Sequence, residues 1–180
     1  EGMPPHGVQL AQNEAPDVLL TINRTEGDML KIIPRIAVLG VGCKRNAGQA
    51  AIEKAFQAIC AEANLDEAAV GLVCSIDRKA DEPGLLEFCK AHGLPFETYT
   101  AEQLRQAEGS FCSSAFVRET TGVDNVCERS AKLASNYGKI IIEKHGACGV
   151  TVYVKKHAGS GVTMAVALRP FHPDWRWQYE

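Results

Sequence analysis

The sequence predicts an α/β fold, a three-layer α/β/α domain with a mostly parallel, mixed central sheet. Apolar runs of strand length alternate with segments of helical periodicity over most of the chain, which is the pattern of strand–helix–strand units. The runs at 36–41 and 70–76 are almost continuously apolar, as expected of strands buried on both faces. We therefore expect mostly parallel strands, with an antiparallel portion near the end of the chain.

The strands are predicted from short apolar or alternating runs that are bounded by turn residues. They cover residues 18–22, 30–33, 36–41, 70–76, 95–99, 140–142, 150–154 and 162–168, and the last two would form a hairpin across 158–161. A helix at 48–63 follows from apolar residues at helical spacing, among them Ile52, Phe56 and Ile59.

Three further helices are predicted from residues that commonly cap helix N-termini. Asp81 is expected to cap a helix with Pro83 in its first turn, Thr100 to open a short helix to 107 with Gln103, and Thr121 to open a helix to Gly138 with Asp124. The segment 113–122 before the last of these helices is interpreted as a connecting turn.

The composition is that of one ordinary soluble domain, with 46% hydrophobic and 23% charged residues. A formal net charge of −3 argues against a general nucleic-acid binder, because phosphate binding needs a broad basic surface. No apolar stretch approaches the ~20 residues that span a bilayer, and no leader is recognisable. Seven cysteines without a Cys-x-x-Cys pair and five histidines without ligand spacing indicate a reducing cytoplasm and no resident metal site.

Three segments are expected along the chain. Residues 1–34 would be a linker or the tail of a preceding domain, 35–170 the main domain, and 171–180 an aromatic tail. The start at Glu1 suggests a chain cut from a longer protein. The aromatic tail could stack on a flat ligand or dock on a partner, although such tails more often fold back on their own domain.

Two pairs of cations follow the two central strands. Lys44 and Arg45 come directly after the first strand, and Arg78 and Lys79 after the second. In an open α/β sheet, ligands bind in the crevice at the carboxyl ends of the strands, next to helix N-termini. The sequence therefore predicts a pocket for an anionic molecule, with tight turns carrying solvated cations as the alternative.

The turn after the first central strand also contains Gly40, Gly42 and Cys43. The glycines would let backbone amides approach a carboxylate, although the third glycine of a dinucleotide fingerprint is missing. Cys43 is the cysteine placed where a nucleophile could sit, because a nearby cation and a helix N-terminus would lower its pKa. A packed thiol is the more common outcome at such a position.

Two further positions could carry chemistry. Glu82, next to Lys79, could act as a general base on water, although a solvated surface ion pair is the more common reading of this spacing. Ser114 and Arg118, in the turn before the last predicted helix, could form another anion-friendly site. There the alternative is a connecting loop whose hydroxyl groups satisfy its own backbone.

Several of these segments together resemble one family, the C-terminal domain of the cobalamin biosynthesis protein G family, which are cobalt-precorrin-5A hydrolases. The resemblance rests on Leu39-Gly40-Val41-Gly42-Cys43-Lys44-Arg45, Lys79-Ala80-Asp81-Glu82-Pro83-Gly84-Leu85, Pro95-Phe96-Glu97-Thr98-Tyr99-Thr100-Ala101-Glu102, Ser114-Ala115-Phe116-Val117 and Thr121-Gly122-Val123-Asp124-Asn125-Val126-Cys127-Glu128. The segments occur in family order. One departure is Lys44, where the family more often has arginine, so one bidentate fork is lost while the charge is kept.

The resemblance implies a role in the anaerobic route to cobalamin, where a ring lactone is opened and a two-carbon fragment leaves as acetaldehyde. The substrate would be an anionic, cobalt-bound tetrapyrrole, so the chain itself would need no cofactor, and the N-terminal domains of the same protein would be its partners. The expected catalytic residues are Glu82 and Lys79, and the expected substrate-binding residues are Gly40, Gly42, Cys43, Lys44, Arg45, Arg78, Ser114 and Arg118. A non-catalytic tetrapyrrole-binding or carrier module is the alternative, and an unrelated thiol-dependent protein is a third hypothesis.

Overall fold

The computed structural model describes residues 5–11, 15–136 and 161–171. Strands and helices alternate along the described chain. They are β1 (Val18–Leu20), β2 (Leu30–Ile32), β3 (Ala37–Cys43), α1 (Gln49–Glu62), β4 (Val70–Ile76), α2 (Pro83–Ala91), β5 (Phe96–Tyr99), α3 (Ala101–Gln106), α4 (Ala115–Thr121), α5 (Cys127–Ala134) and β6 (Val162–Leu168).

The central sheet has the strand order β5-β4-β3-β6. β3, β4 and β5 run parallel, and β6 pairs antiparallel with β3 along its whole length, from Ala37 opposite Leu168 to Cys43 opposite Val162. The continuous apolar runs of β3 and β4 are explained by helices on both faces. The predicted mixed, mostly parallel sheet is confirmed.

The helices form one layer on each side of this sheet. On one face, α1 and α2 bury a large cluster in which Phe56 and Phe88 meet edge to face, with ring centroids 5.3 Å apart. On the other face, α5 packs small side chains against the sheet, with Ala131 against Ala165 and Ala167 of β6. The fold is therefore the predicted three-layer α/β/α arrangement.

A separate two-stranded ribbon precedes the central sheet. β1 and β2 pair in parallel, with Val18 opposite Leu30 and Leu20 opposite Ile32. These four side chains share one face of the ribbon, because alternate residues of a strand point the same way, and all four are exposed. The ribbon therefore presents an apolar face to its surroundings.

Two of the three predicted helix starts are wrong. The capping box of Thr100 and Gln103 is confirmed at the start of α3. Asp81 does not cap α2, because the helix begins at Pro83 and the capping position falls on Glu82, one residue later. Thr121 does not open α5, which begins at Cys127.

Most of the segment 113–122 forms a helix, α4, rather than only a connecting turn. The Ser114 side chain accepts a hydrogen bond from the Val117 N–H and caps this helix. Gly122, with φ of 80°, ends it in the left-handed conformation, so the pair Thr121-Gly122 terminates one helix instead of opening the next. The strands predicted at 140–142 and 150–154, Gly138 and most of the aromatic tail lie outside the described residues.

Gly40 is where α5 approaches the sheet most closely. A β-carbon built at this position would lie 1.9 Å from the carbonyl oxygen of Cys127, the first residue of α5. Because that oxygen belongs to the backbone, a side chain at position 40 would push the whole helix away. Glycine is therefore required here by packing alone, whatever else this position does.

We expect Gly40→Ala to lower the free energy of unfolding by about 3 kcal/mol or more, because overpacking a rigid backbone contact is costly. Chemical denaturation of the chain measures the change. Gly48→Ala is the control, since a β-carbon at Gly48 meets nothing within 4 Å and the backbone there has φ of −68°. Equal stability of the two variants would contradict the close approach.

Candidate functional site

The loops that follow β3 and β4 meet at the carboxyl edge of the sheet. Arg45 Nη1 lies 3.2 Å from Asp81 Oδ1, and both side chains are exposed. Behind this pair, Gly84 of α2 lies so close to the carbonyl of Ala47 that a β-carbon would come within 2.1 Å of it. The structure thus brings together four cations, which we call the cationic rim: Lys44, Arg45, Arg78 and Lys79.

One member of the cationic rim, Lys79, forms a largely buried ion pair. Lys79 Nζ lies 2.7 Å from Glu82 Oε2, and the Glu82 side chain is 0% exposed while that of Lys79 is 12% exposed. Pro83 favours this arrangement, because a residue before proline is held in an extended conformation and proline begins a helix without losing a needed N–H. Glu82 Oε1 has no hydrogen-bond partner among the described residues. The pair is therefore not the solvated surface pair that the spacing alone favoured.

Cys43, at the end of β3, lies beside this ion pair. Burial raises the pKa of its thiol, the Lys79 ammonium opposes this shift, and the Glu82 carboxylate adds to it. The net raised pKa keeps the thiol protonated near neutral pH, so it does not have the lowered pKa expected of an activated nucleophile. The structure favours a packed thiol that borders the ion pair.

Lys44 lies across the start of the segment that leads into β6. Its backbone N–H donates to the Gly161 carbonyl at 2.8 Å, and its aliphatic carbons cover Gly161. The side chain as a whole is exposed. The Lys44 amide therefore already has a hydrogen-bond partner. The binding of a carboxylate by backbone amides near Gly42 and Cys43 stays a prediction. Both of those residues pair with β6.

α4 reaches the cationic rim through Arg78. Arg78 Nη1 donates to the carbonyl of Thr120 at 2.6 Å, which ties the loop after β4 to the last turn of α4. Arg118 lies on the same helix, with Nη2 3.6 Å from Asp124 Oδ2, and its side chain is 65% exposed. Ser114 acts as the helix cap. A ligand-binding role for Ser114 or Arg118 stays a prediction.

Glu128 is a buried acid that was not among the predicted site residues. Its Oε2 accepts from the Cys112 N–H at 3.0 Å, and Asn125 Oδ1 accepts from the Glu128 N–H at 2.9 Å. Burial raises the pKa of the Glu128 carboxyl, and the bond from Cys112 partly opposes this shift. The spacing Asn125-x-x-Glu128, which resembles a capping box, could have located both this residue and the start of α5.

A shallow cavity of about 350 Å³ lies at the opposite, amino end of the sheet. Its lining is mostly apolar and includes Leu20, Ile36 and Phe171. It contains no group that could neutralise an anion.

Within the described ranges, no three potential metal ligands are grouped closely enough to hold an ion. In the same ranges no helix combines the length and apolar character needed to cross a bilayer.

The fold and the cationic rim define an open-sheet α/β domain whose polar edge lies at the carboxyl ends of its parallel strands. Residues 37–167 match the family model described as cobalamin synthesis G C-terminus. This match covers more than half of the chain, and the chain therefore belongs to that family. The resemblance seen in the sequence is confirmed.

Two curated relatives agree with this family, and one solved structure shares the fold. The cobalt-precorrin-5A hydrolase of Salmonella typhimurium is 34% identical over 122 residues, which cover 68% of this chain and 34% of that protein. The one from Priestia megaterium is 31% identical over 138 residues, covering 77% and 33%. The crystal structure of CobE, from the cobalamin biosynthetic pathway, superposes with a TM-score of 0.61 at 24% identity and covers 78% of this chain and 95% of that one. The chain spans about a third of the length of the two hydrolases.

We expect Lys79→Met to lower the free energy of unfolding by about 3 kcal/mol at neutral pH, because it leaves the buried Glu82 carboxylate without a partner. The double variant Lys79→Met/Glu82→Leu should be more stable than Lys79→Met alone. Denaturant unfolding of both singles and the double measures the coupling. Arg45→Gln, which breaks the exposed pair with Asp81, should cost less than about 1 kcal/mol. A Lys79→Met variant as stable as Arg45→Gln would contradict the buried pair.

We expect iodoacetamide to modify Cys43 much more slowly than the exposed Cys112 at about pH 7, because the raised pKa of Cys43 leaves little thiolate. The Cys43 rate should rise steeply as the pH approaches its pKa. Peptide mass mapping over a pH series follows both residues in one sample. Rapid neutral-pH labelling of Cys43 would instead favour the thiol-dependent hypothesis.

Proposed function

We propose that this chain is the C-terminal domain of a cobalt-precorrin-5A hydrolase and acts in cobalamin biosynthesis on an anionic tetrapyrrole. The observation that carries the proposal is the family match across 37–167. The resemblance described above implies that such enzymes open a ring lactone and release a two-carbon fragment as acetaldehyde. The meeting of the β3 and β4 loops at one edge supports a common binding site for that substrate.

The proposed substrate fits the chemistry of the cationic rim. A tetrapyrrole decorated with acetate and propionate arms presents several carboxylates around one macrocycle, and these require separated cations along one edge. Lys44 and Arg45 are exposed and can bind the carboxylate arms directly. Arg45 can form a bidentate hydrogen-bonded ion pair, whereas Lys44 acts as a point charge. Asp81, the present partner of Arg45, would be displaced by a ligand carboxylate.

Lactone opening requires a base and a set of donors. Water adds to the lactone carbonyl and gives up a proton, negative charge develops on the carbonyl oxygen, and the ring C–O bond breaks to leave a carboxylate and a hydroxyl group. We assign the base to Glu82, with Lys79 as the adjacent cation. Because the Glu82 carboxylate is buried, water must reach its Oε1, which has no partner among the residues that the structure describes, for this role. The cobalt belongs to the substrate, and we propose no cofactor for this chain.

We also propose that the N-terminal domains of the same protein pack on the ribbon of β1 and β2. An isolated two-stranded sheet is marginally stable, and parallel strands need a crossover that itself requires support. The exposed fractions of Leu30 and Ile32 are 64% and 50%, so the apolar face is available for a covering layer. The curated relatives extend well beyond the matched region, which supplies such a partner.

We place the protein in the cytoplasm, without a nucleic-acid or membrane partner.

A non-catalytic tetrapyrrole-binding or carrier module is the second candidate. One observation favours it: the matched CobE chain is covered over 95% of its length, so this fold also occurs as almost the whole of a protein. A module of this kind would bind the macrocycle at the cationic rim and leave the lactone intact.

Binding is tested by titrating the chain with uroporphyrin III, a tetrapyrrole with four acetate and four propionate arms, and following its absorbance. We expect the double variant Lys44→Ala/Arg45→Ala to bind about tenfold more weakly, because two exposed charge contacts are lost. Asp81→Asn should bind more tightly because it releases Arg45. Lys54→Ala/Lys90→Ala removes the same charge from the exposed surfaces of α1 and α2 and should bind as the unchanged chain does. Equal binding by all variants would remove the proposed site.

The same proposal predicts acetaldehyde release from cobalt-precorrin-5A, measured by coupling to an alcohol dehydrogenase. A longer polypeptide that carries the N-terminal domains should release acetaldehyde, and Glu82→Gln should abolish the release while leaving uroporphyrin binding in place. Binding without any acetaldehyde, even from the longer polypeptide, would favour the carrier module.

A further inference from the structure

α4 is held to the rest of the domain in an unusual way. None of its seven residues is buried, and of its apolar side chains only Val117 packs against a core cluster. A helix this short is not stable by itself. Polar contacts fix it instead: the Ser114 N–H donates to the Asp124 carbonyl at 3.0 Å, and Arg78 binds the Thr120 carbonyl. α4 is therefore positioned mainly by polar contacts, one of which comes from Arg78 of the cationic rim, and only to a small extent by burial of its own surface.

Phe116 is exposed on this helix. Its side chain is 69% exposed, the largest value for any phenylalanine in the described part of the chain. The other phenylalanines there are buried or half-buried, except Phe171, which is 42% exposed at the amino end of the sheet. Leaving a whole aromatic ring in water forgoes a favourable burial free energy, which contact with an apolar ligand surface would recover.

The helix that carries Phe116 is attached to the cationic rim. Thr120 follows Phe116 by four residues, so the two side chains lie on the same face of α4, about one turn apart. The Thr120 hydroxyl donates to the Phe116 carbonyl at 2.9 Å, and the Thr120 carbonyl accepts from Arg78 at 2.6 Å. Val117 packs with Ile76 and Tyr99, the last residues of β4 and β5, so the helix that carries the exposed Phe116 ring lies at the carboxyl edge of the sheet and is bound there by Arg78.

We infer that Phe116 is a stacking platform that contacts one face of the tetrapyrrole while the cationic rim binds its carboxylate arms. This inference rests on the proposed function and adds a specificity-determining residue to it. A flat macrocycle with charged arms has two kinds of surface, and the rim alone matches only one of them. The ring of Phe116 supplies the apolar contact, and Arg78 holds the helix that carries it.

Uroporphyrin III titration of the chain tests the inference with three variants. Phe116→Ala should bind about tenfold more weakly, the usual order of effect when a stacked aromatic ring is removed. Phe116→Trp should bind at least as tightly as the unchanged chain. Phe171→Ala, the matched control at the opposite end of the sheet, should change the affinity less than about twofold. Because Phe116 and Phe171 are exposed, all variants should have the same melting temperature as the unchanged chain.

The outcomes separate this inference from the proposed function. Loss of binding in Phe116→Ala with recovery in Phe116→Trp supports the platform. Unchanged binding in Phe116→Ala, together with weakened binding in Lys44→Ala/Arg45→Ala, overturns the platform and leaves the tetrapyrrole site standing. Weakened association with the N-terminal domains at unchanged porphyrin affinity also overturns it, because Phe116 would then be a domain contact. If the unchanged chain does not bind uroporphyrin, both the stacking platform and the proposed tetrapyrrole site are wrong.

Discussion

The parallel pairing of β3 with β4 is the constraint on which the site depends. Parallel neighbours end at the same edge of a sheet, so the loops that follow them must meet whatever their sequences are. Here that pairing aligns Gly40 with Cys74, and the next residues along each strand lead directly to Lys44 and Lys79. The antiparallel β6 fixes the other side of β3 and places Gly161 under Lys44. The strand topology thus determines where the cationic rim lies, whatever charges its loops carry.

The rim carries less positive charge than its cations alone indicate. The loops at 43–48 and 77–82 contain four basic residues, but they also contain Asp77, Asp81 and Glu82, which leaves a formal excess of one. Arg45 and Lys79 each have a carboxylate partner. The two pairs differ in consequence, because an exposed pair is weak and exchangeable whereas a buried pair is expensive to separate. In the binding mode that we propose, a ligand carboxylate therefore replaces Asp81, while Lys79 and Glu82 stay together.

The sequence predicted the parts of the fold that depend on local pattern. The long apolar runs gave β3 and β4, the helical spacing gave α1, and the capping box at Thr100 gave α3. Errors arose where a neighbour distant in sequence decided the outcome. Asp81 has the side chain of a helix cap, but the helix starts one residue too late for it, and Arg45 from another loop occupies its carboxylate. The convergence of the two loops was predictable, whereas the burial of Glu82 was not, because spacing says nothing about depth.

α4 illustrates the same limit from the opposite direction. Hydrophobic periodicity finds helices by the face they bury, and no residue of α4 is buried, so only its two end residues, Ser114 and Gly122, could indicate it. What stabilises it is a set of polar contacts to carbonyl groups that become neighbours only after the sheet has formed. A helix held in this way depends on each of its contacts, and the bond from Arg78 to Thr120 ties its position to the loop that follows β4. In the binding mode that we propose, Arg78 therefore fixes the helix that carries the Phe116 ring relative to the arms bound at the cationic rim.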